Sequence, residues 1–175
     1  MSFARVRALV VVGVLVLAAV ILVATALLKD KQTAPIQVQG CAKNAVIADI
    51  KLPEPTAVKI NVYNATAKPG LATDERDEFK ARHFTVDKVG NDPLAKKVDG
   101  VAVLRFGPKA VGAAWLLRAY FLDQAHQEFD IKRKDAEVDV VLGNGFKQLA
   151  TTTEVNQALA QLGNPTLPEG TCSGQ

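Results

Sequence analysis

One uncharged stretch near the N-terminus constrains this chain more than any other feature of its sequence. Residues 8–28 read ALVVVGVLVLAAVILVATALL and contain no charged side chain. A helix of that length can cross the hydrocarbon core of a bilayer. We therefore predict a transmembrane helix over residues 8–28, a cytoplasmic N-terminus over residues 1–7, and a single-pass membrane protein whose C-terminal domain is extracytoplasmic.

A cleaved secretory signal peptide is the alternative interpretation of the same stretch. Ala24, Thr25 and Ala26 form an A-x-A cleavage site, although the apolar region of a signal peptide is shorter than this one. Both interpretations place residues 29–175 outside the cytoplasm.

The two cysteines of the chain stand near opposite ends of this exported part. Cys41 and Cys172 are an even count in an exported protein, which favours a disulfide between them. Closing so long a loop would stabilise the fold by about 4 kcal/mol in the chain-entropy model. The alternative is two free thiols on flexible tails.

Charge argues against a nucleic-acid partner. All 18 acidic residues and all but two of the 21 Lys and Arg residues follow the apolar stretch, so the exported part is nearly neutral. Its one short basic run, Lys132 to Lys134, is typical of a solvated loop rather than of a nucleic-acid footprint.

Hydrophobic periodicity predicts one α+β domain. Residues 29–56 contain three prolines without a sustained period and indicate a stalk, residues 57–162 form the domain, and residues 163–175 form a C-terminal tail. A short helix or strand is possible within 44–52.

The predicted element order of the domain is β-α-β-β-α-β-β-α. Its first six elements match the split βαβ pattern of ferredoxin-like folds, with helices packed on one face of a sheet. Alternation and helical spacing place strands at 58–63, 84–90, 100–107, 126–133 and 137–143, and helices at 71–83, 109–123 and after a Thr151/Glu154 capping box.

The break between the first strand and the first helix, residues 64–70, has two interpretations. A strand, a glycine turn and a helix N-terminus could hold an anion, but Asp74 and its acidic neighbours already complement the helix dipole there, which favours a simple corner. Asn64 and Thr66 are candidate ligand contacts at this break, and together they also form a glycosylation sequon.

The inventory of reactive side chains favours binding over catalysis. The two serines, Ser2 and Ser173, lie outside the predicted domain, which excludes a serine triad. His83 and His126 show no metal-ligand spacing, so we predict no metal site and no cofactor. An enzyme that uses a concealed pair of carboxylates is the remaining alternative.

Two further residues are candidate ligand-binding groups. Arg105 lies between Leu104 and Phe106 on an apolar strand, where its charge must reach water, a ligand or an internal ion pair. Trp115 lies in the most apolar helix, where a core position is favoured, although an indole at a rim would stack on a sugar face.

Three separated segments resemble the LytR C-terminal domain family. They are VYNATAKPGLATDERDEFKARHFTV at 62–86, AVLRFGP at 102–108 and VDVVLGNGF at 138–146, and the resemblance covers about residues 57–147. Family members share a strand ending in Asn-x-Thr, a Gly-Leu-Ala helix start and a final Val-Leu-Gly turn. Glu75 departs from the pattern, because that helix position is usually apolar in the family.

The resemblance implies an extracytoplasmic accessory domain of actinobacterial cell envelopes. Such domains follow a LytR-CpsA-Psr catalytic domain or stand alone behind a membrane helix, and this chain is similar to the second kind. We expect a non-catalytic protein that supports envelope integrity by binding a cell-wall glycopolymer or peptidoglycan, with other envelope proteins and the bilayer as further partners. The alternative is a protein scaffold or regulator for glycopolymer-attachment enzymes.

Overall fold

The computed structural model describes residues 12–20, residue 41 and residues 45–173. Residues 12–20 are helical, and the rest of the predicted transmembrane segment lies outside the described residues. Within the described residues, no helix is both long and apolar enough to cross a membrane. The chain divides after Gly40, and the unit Cys41–Gln175 contains the folded domain.

A five-stranded mixed sheet forms the centre of this domain. Its strands are β2 (Lys59–Asn64), β3 (Thr85–Asn91), β4 (Ala102–Phe106), β5 (Ala125–Phe129) and β6 (Val138–Leu142), in the order β3-β2-β6-β4-β5. Three helices accompany them: α1 (Leu71–Ala81), α2 (Val111–Tyr120) and α3 (Thr152–Leu162). The predicted α+β class and element order are confirmed.

The strand order differs from the ferredoxin-like pattern. In a split βαβ unit another strand separates the two parallel strands, whereas here β2 lies directly beside β3, and β4 beside β5, both in parallel. The last long strand, β6, fills the centre instead, parallel to β2 and antiparallel to β4. The physical reason is burial: β6 (VDVVL) is nearly all apolar and occupies the middle, while the more polar β3 and β5 lie at the edges.

The handedness of the two crossovers explains why one sheet face stays free of helices. The strands β2 and β4 run antiparallel, and β3 and β5 lie on their outer sides. Right-handed crossovers through α1 and α2 therefore put both helices on the same face. That face carries the main core, whose fully buried members include Ile60, Val62, Phe79, Leu104, Leu117 and Val140.

The opposite sheet face, called the uncovered face below, is mostly polar. Its central side chains are Asn61, Tyr63, Val103, Arg105, Asp139 and Val141, which alternate with the core residues along β2, β4 and β6. A small apolar cluster of Val98, Val103 and Val141 lies there beside Tyr63. The connection from β3 to β4 supplies Val98 and so packs on this face.

Two short strands join the beginning and end of the domain. Strand β1 (Val46–Ala48) pairs in parallel with β7 (Thr171–Ser173), and the predicted disulfide between Cys41 and Cys172 is present beside them, with Cα atoms 5.9 Å apart. The segment after β1 packs on the start of α2, where the Gly112 amide donates to the Asp49 carbonyl at 2.9 Å. The packed unit therefore includes the last residues of the predicted stalk, and β7 lies within the predicted tail.

Hydrogen bonds between residues that are close in sequence set the ends of several helices and strands. The Thr151 hydroxyl accepts from the Glu154 amide while the Glu154 carboxylate accepts from the Thr151 amide, so the predicted capping box is confirmed. The predicted strand 126–133 is too long, because β5 ends at Phe129. Its second half is a turn in which the Asp130 carboxylate accepts from the Lys132 amide at 2.9 Å.

Candidate functional site

Arg105 is an internal ion-paired residue on the uncovered face. Its Nη1 and Nη2 atoms donate to the Asp92 carboxylate at 2.6 and 3.1 Å, and its Nε atom donates to Glu128 at 2.8 Å. Asp92 is 2% exposed in its side chain, and Arg105 is 10% exposed. The guanidinium of this predicted ligand-binding residue is therefore occupied by two carboxylates of the protein.

A second arginine on the same face is paired in the same way. Arg133 donates to both oxygens of Asp139, at 2.7 and 3.1 Å, and also to the Arg105 carbonyl at 3.1 Å. Asn61 lies beside this pair and donates to Asp139 at 2.7 Å and to Glu137 at 3.0 Å. The uncovered face thus carries two arginines that are each paired with carboxylates, and Arg133 links the two pairs by donating to the Arg105 carbonyl.

Asn64 and Thr66 hold the break between β2 and α1 in a turn. The side-chain Oδ1 atom of Asn64 accepts from the amide and the hydroxyl of Thr66, and the Asn64 Nδ2 atom donates to the Lys68 carbonyl at 2.7 Å. The Thr66 hydroxyl accepts in turn from the Lys68 amide. Gly70 is the N-cap of α1 and has a φ of 80°, a backbone conformation that favours glycine. The polar groups of both candidates are engaged within the turn.

Trp115 is buried in α2, 7% exposed, and its indole Nε1 donates to the Gly163 carbonyl at 3.1 Å. The Arg118 guanidinium lies over the ring, 4.2 Å from the centroid. The indole also borders a cavity of about 440 Å³ together with Phe129 and Pro168. Because α2 covers the opposite sheet face from Arg105, the structure does not bring these two predicted site residues together.

A different groove combines the features of a ligand site, and we call it the Tyr120 groove. It has a volume of about 520 Å³ and lies between the segment 52–55, the end of α1 and the side of α3. Its apolar lining consists of Leu52, Pro53, Pro55, Ala81, Leu116, Val155 and Leu159. Its polar lining, apart from Tyr120, consists of Glu54, Arg82, His83, Thr152 and Asn156. Polar and apolar residues line the groove in similar numbers, so it offers a ligand both packing and hydrogen-bonding contacts.

Tyr120 is the buried polar residue of this groove. It is 8% exposed, and its ring packs edge-on against Phe84 with centroids 5.0 Å apart. No hydrogen-bond partner for its hydroxyl occurs within the described part of the chain. Burial raises the pKa of the Tyr120 hydroxyl, and the charges that modify that shift belong to Arg82 and Glu54, which both line the groove. The hydroxyl reaches solvent in the groove, since Glu75 Oε2 is the one buried side-chain polar atom without a hydrogen-bond partner among the described residues.

The sequence offered only a weak signal for this residue. Tyr120 ends a helix that is apolar except for Arg118, and the tertiary position of His83 beside it depends on the left-handed conformation of His83, φ 69°, just after α1. A hydroxyl at the last position of a mostly apolar helix is the pattern that could have identified it.

Two acidic side chains line a further cavity of the described domain. A cavity of about 330 Å³ beside α3 is lined by Asp123 and Glu154, but Asp123 accepts from Arg118 and Glu154 closes the capping box. Across the described ranges, no cluster of three or more His, Cys, Asp or Glu residues could hold a metal ion.

Two known proteins are similar to this chain. A crystal structure of the soluble domain of a conserved hypothetical secreted protein from Mycobacterium marinum matches 68% of the chain and 77% of its own length, with 28% identity and a TM-score of 0.52. The cell envelope integrity protein Cei of Mycobacterium tuberculosis is 24% identical over 132 residues, which are 74% of this chain. The chain spans about 60% of the length of that curated relative.

A family model matches residues 57–146, just over half of the chain, and closely follows the range of the resemblance found in the sequence. It covers β2 to β6 with both crossover helices, together with Tyr120 and Arg105. The chain therefore belongs to the LytR cell envelope-related transcriptional attenuator (LytR_C) family.

Proposed function

We propose that this chain is a non-catalytic, membrane-anchored protein of the cell envelope that binds a wall glycopolymer or peptidoglycan through the Tyr120 groove. The observation that carries the proposal is the groove itself, with its apolar floor and with polar groups that include Tyr120 in its lining. Sugars present apolar C–H faces and outward hydroxyls, so a surface of this mixed character suits them.

The family and the relative's name support the envelope context. Both the family description and the name of the M. tuberculosis protein refer to the cell envelope. The uncharged stretch 8–28 supports an anchor that leaves the domain on the outer side of the membrane.

The composition of the groove supports binding rather than cleavage. Glycoside hydrolysis commonly uses two carboxylates that flank the scissile bond. The Tyr120 groove has one carboxylate in its lining, Glu54, which is exposed at the rim. Its other polar groups are suited to hydrogen bonding with a neutral ligand.

A protein scaffold for glycopolymer-attachment enzymes is the second candidate, and the uncovered face favours it. The ion pairs of Arg105 with Asp92 and of Arg133 with Asp139 fix the positions of charged groups there, and the Arg133 and Asp139 side chains are 17% and 20% exposed. Such a surface could recognise a complementary protein partner through polar contacts.

Co-sedimentation with insoluble peptidoglycan tests the main proposal. The full chain, kept in a detergent without sugar groups, is mixed with purified sacculi that retain their attached glycopolymer. The variant Asn156→Trp should fill the groove and abolish sedimentation, because Asn156 lines it. Ala160→Trp is the matched control, since Ala160 is exposed on α3 outside the grooves described above. Equal sedimentation of both variants would move binding away from this groove, and no sedimentation of the wild type would favour the scaffold.

A further inference from the structure

The outer edge of β5 carries backbone groups that no described residue pairs with. This strand ends the five-stranded sheet and bonds to β4 alone, in a regular parallel register over its whole length. Just after β5, the Asp130 amide donates to the Phe106 carbonyl of β4 at 2.9 Å. Because successive backbone amides of a strand point to opposite edges, the amides that point away from β4 are those of Ala125, Gln127 and Phe129. Such a row is a template for one more strand.

The opposite edge of the sheet, formed by β3, is protected against such pairing. Asp87 and Lys88 are exposed charges on β3, and its register with β2 shifts between Ile60 and Val62. Charged side chains and irregular pairing are devices that keep an edge strand from joining another. β5 has neither a register shift nor a proline, and its charged side chain, Glu128, already accepts from Arg105. The edge suited to an additional strand is therefore that of β5.

We propose that β5 pairs with β5 of a second copy of this chain, antiparallel and centred on Gln127, so that the two sheets join into one. A two-fold axis at Gln127 relates the copies. Gln127 exchanges both of its backbone hydrogen bonds with the partner's Gln127, and Phe129 does the same with the partner's Ala125. All the outward amides of β5 are used in this register. The inference is independent of the proposed function, since no residue of β5 lines the Tyr120 groove.

Side-chain charge selects this register over its neighbours. The pairing with β4 sets His126 beside Val103 and Glu128 beside Arg105, so His126 and Glu128 both lie on the uncovered face. In the proposed dimer, His126 lies directly opposite the partner's Glu128, once on each side of the axis. The Glu128 side chain is 39% exposed, and Arg105 donates to its Oε2 atom, so Oε1 can accept from an imidazole N–H.

The neighbouring registers lack this complementarity. A shift that still pairs the outward amides sets His126 opposite the partner's His126, or Glu128 opposite the partner's Glu128. Like charges directly opposite each other on paired strands are destabilising. On the helix-covered side of the strand, the proposed register also places the large Phe129 ring opposite the small side chain of the partner's Ala125. One strand pair buries less surface than a standard interface, so the dissociation constant should be micromolar rather than nanomolar.

Sedimentation equilibrium of the full chain in a density-matched detergent tests the dimer. The wild type should associate to a dimer in the micromolar range. His126→Glu sets two carboxylates opposite each other and should weaken the dimer at least about tenfold, whereas His126→Lys keeps opposite charges and should retain it. His83→Glu makes the same charge change at the other histidine, away from β5, and should leave association unchanged. A monomeric wild type, or equal association of the wild type and His126→Glu, would overturn the proposal.

A cysteine at the axis tests the register. Cα atoms of a hydrogen-bonded antiparallel pair lie about 5.5 Å apart, within the range that a disulfide spans. Gln127→Cys should therefore form a covalent dimer on mild oxidation, and reductant should reverse it. Gln161→Cys is the matched control, because Gln161 is exposed on α3, and it should stay monomeric under the same conditions. Cross-linking of Gln127→Cys that is absent, or no faster than that of Gln161→Cys, would overturn the proposed pairing.

Discussion

The Arg105 guanidinium donates to both oxygens of Asp92, and this pair holds the connection between β3 and β4 against the uncovered sheet face. The distances are 2.6 and 3.1 Å, and the Asp92 side chain is almost completely buried. The same connection contributes Val98 to the small apolar cluster beside Tyr63. One ion pair thus secures a segment that crosses from an edge strand to a central strand.

Loss of the Asp92 charge should destabilise the domain strongly. Asp92→Asn leaves a buried guanidinium with a weaker partner, which typically costs about 3 kcal/mol of unfolding free energy. Urea unfolding, followed by circular dichroism, measures the change. Asp87→Asn is the control, because Asp87 is 38% exposed and pairs with Lys59 at 3.5 Å, so that its loss should cost less than about 1 kcal/mol. Equal losses in the two variants would contradict the structural role of the buried pair.

Acid should remove the same stabilisation. Burial opposes ionisation of Asp92, but hydrogen bonds from Arg105 and from the Leu94 amide prevail and hold its pKa below the ordinary value. A carboxyl with a lowered folded-state pKa contributes stability that is complete above its unfolded pKa, about 3.9, and that is lost as the pH falls through the folded value. Unfolding free energy of the wild type should therefore fall below about pH 4. Urea midpoints from pH 7 to pH 2 should show a shallower fall for Asp92→Asn, and parallel curves would refute this assignment.

Glu75 should destabilise the domain at neutral pH. Its Oε2 atom is buried without a hydrogen-bond partner in the described structure, on the face of α1 that also buries Leu71 and Phe79. Burial, reinforced by Glu78, raises the pKa of the Glu75 carboxyl. A raised folded-state pKa means that the penalty appears as the pH rises above the unfolded value of about 4.3.

Glu75→Gln should therefore raise the unfolding free energy by about 1 kcal/mol at pH 7. The gain should vanish near pH 4, where the carboxyl is protonated in both states to a large extent. Thermal and urea unfolding at the two pH values measure it, and a gain that persists unchanged at the lower pH would contradict a charge effect.

Reduction of the disulfide should loosen the junction of the two chain ends. The bond between Cys41 and Cys172 closes a loop with a sequence separation of 131 residues, and its loss should cost about 4 kcal/mol in the chain-entropy model. The double variant Cys41→Ser, Cys172→Ser, compared with the wild type with and without reductant, measures the change in urea unfolding. Native protein whose two thiols are labelled without reductant would show that the bond does not form.

The hydrophobic periodicity of the sequence was sufficient to predict most of the helices and strands. The alternation of VKINVY predicted β2, and the capping signals of Thr151 and Glu154 placed the start of α3, because these signals act between residues close in sequence. The strand order could not be obtained in this way. The strand order depends on which strands bury both of their faces. The apolar sequence of β6 is consistent with a central strand, but it assigns β6 to the place between β2 and β4 only once the partners of those strands are known.

For the candidate site residues too, the sequence indicated local properties, whereas their contacts with distant residues depended on the fold. Arg105 could be recognised as a charge that needs a partner, but its partners Asp92 and Glu128 are 13 and 23 residues away in sequence and meet it only in the folded sheet. The Tyr120 groove draws its walls from residues 52–55, 81–83 and 152–159, and no sequence spacing connects these segments.

The sequence by itself determined the helices, most of the strands and their order along the chain, the two cysteines that pair, and a long uncharged stretch near the N-terminus. These features follow from local patterns of polarity and from capping and turn chemistry. Only the tertiary structure decided that Arg105 is internally neutralised and that the Tyr120 hydroxyl reaches solvent in a groove. Both outcomes depend on contacts between segments that the chain brings together across the sheet, which local patterns do not encode.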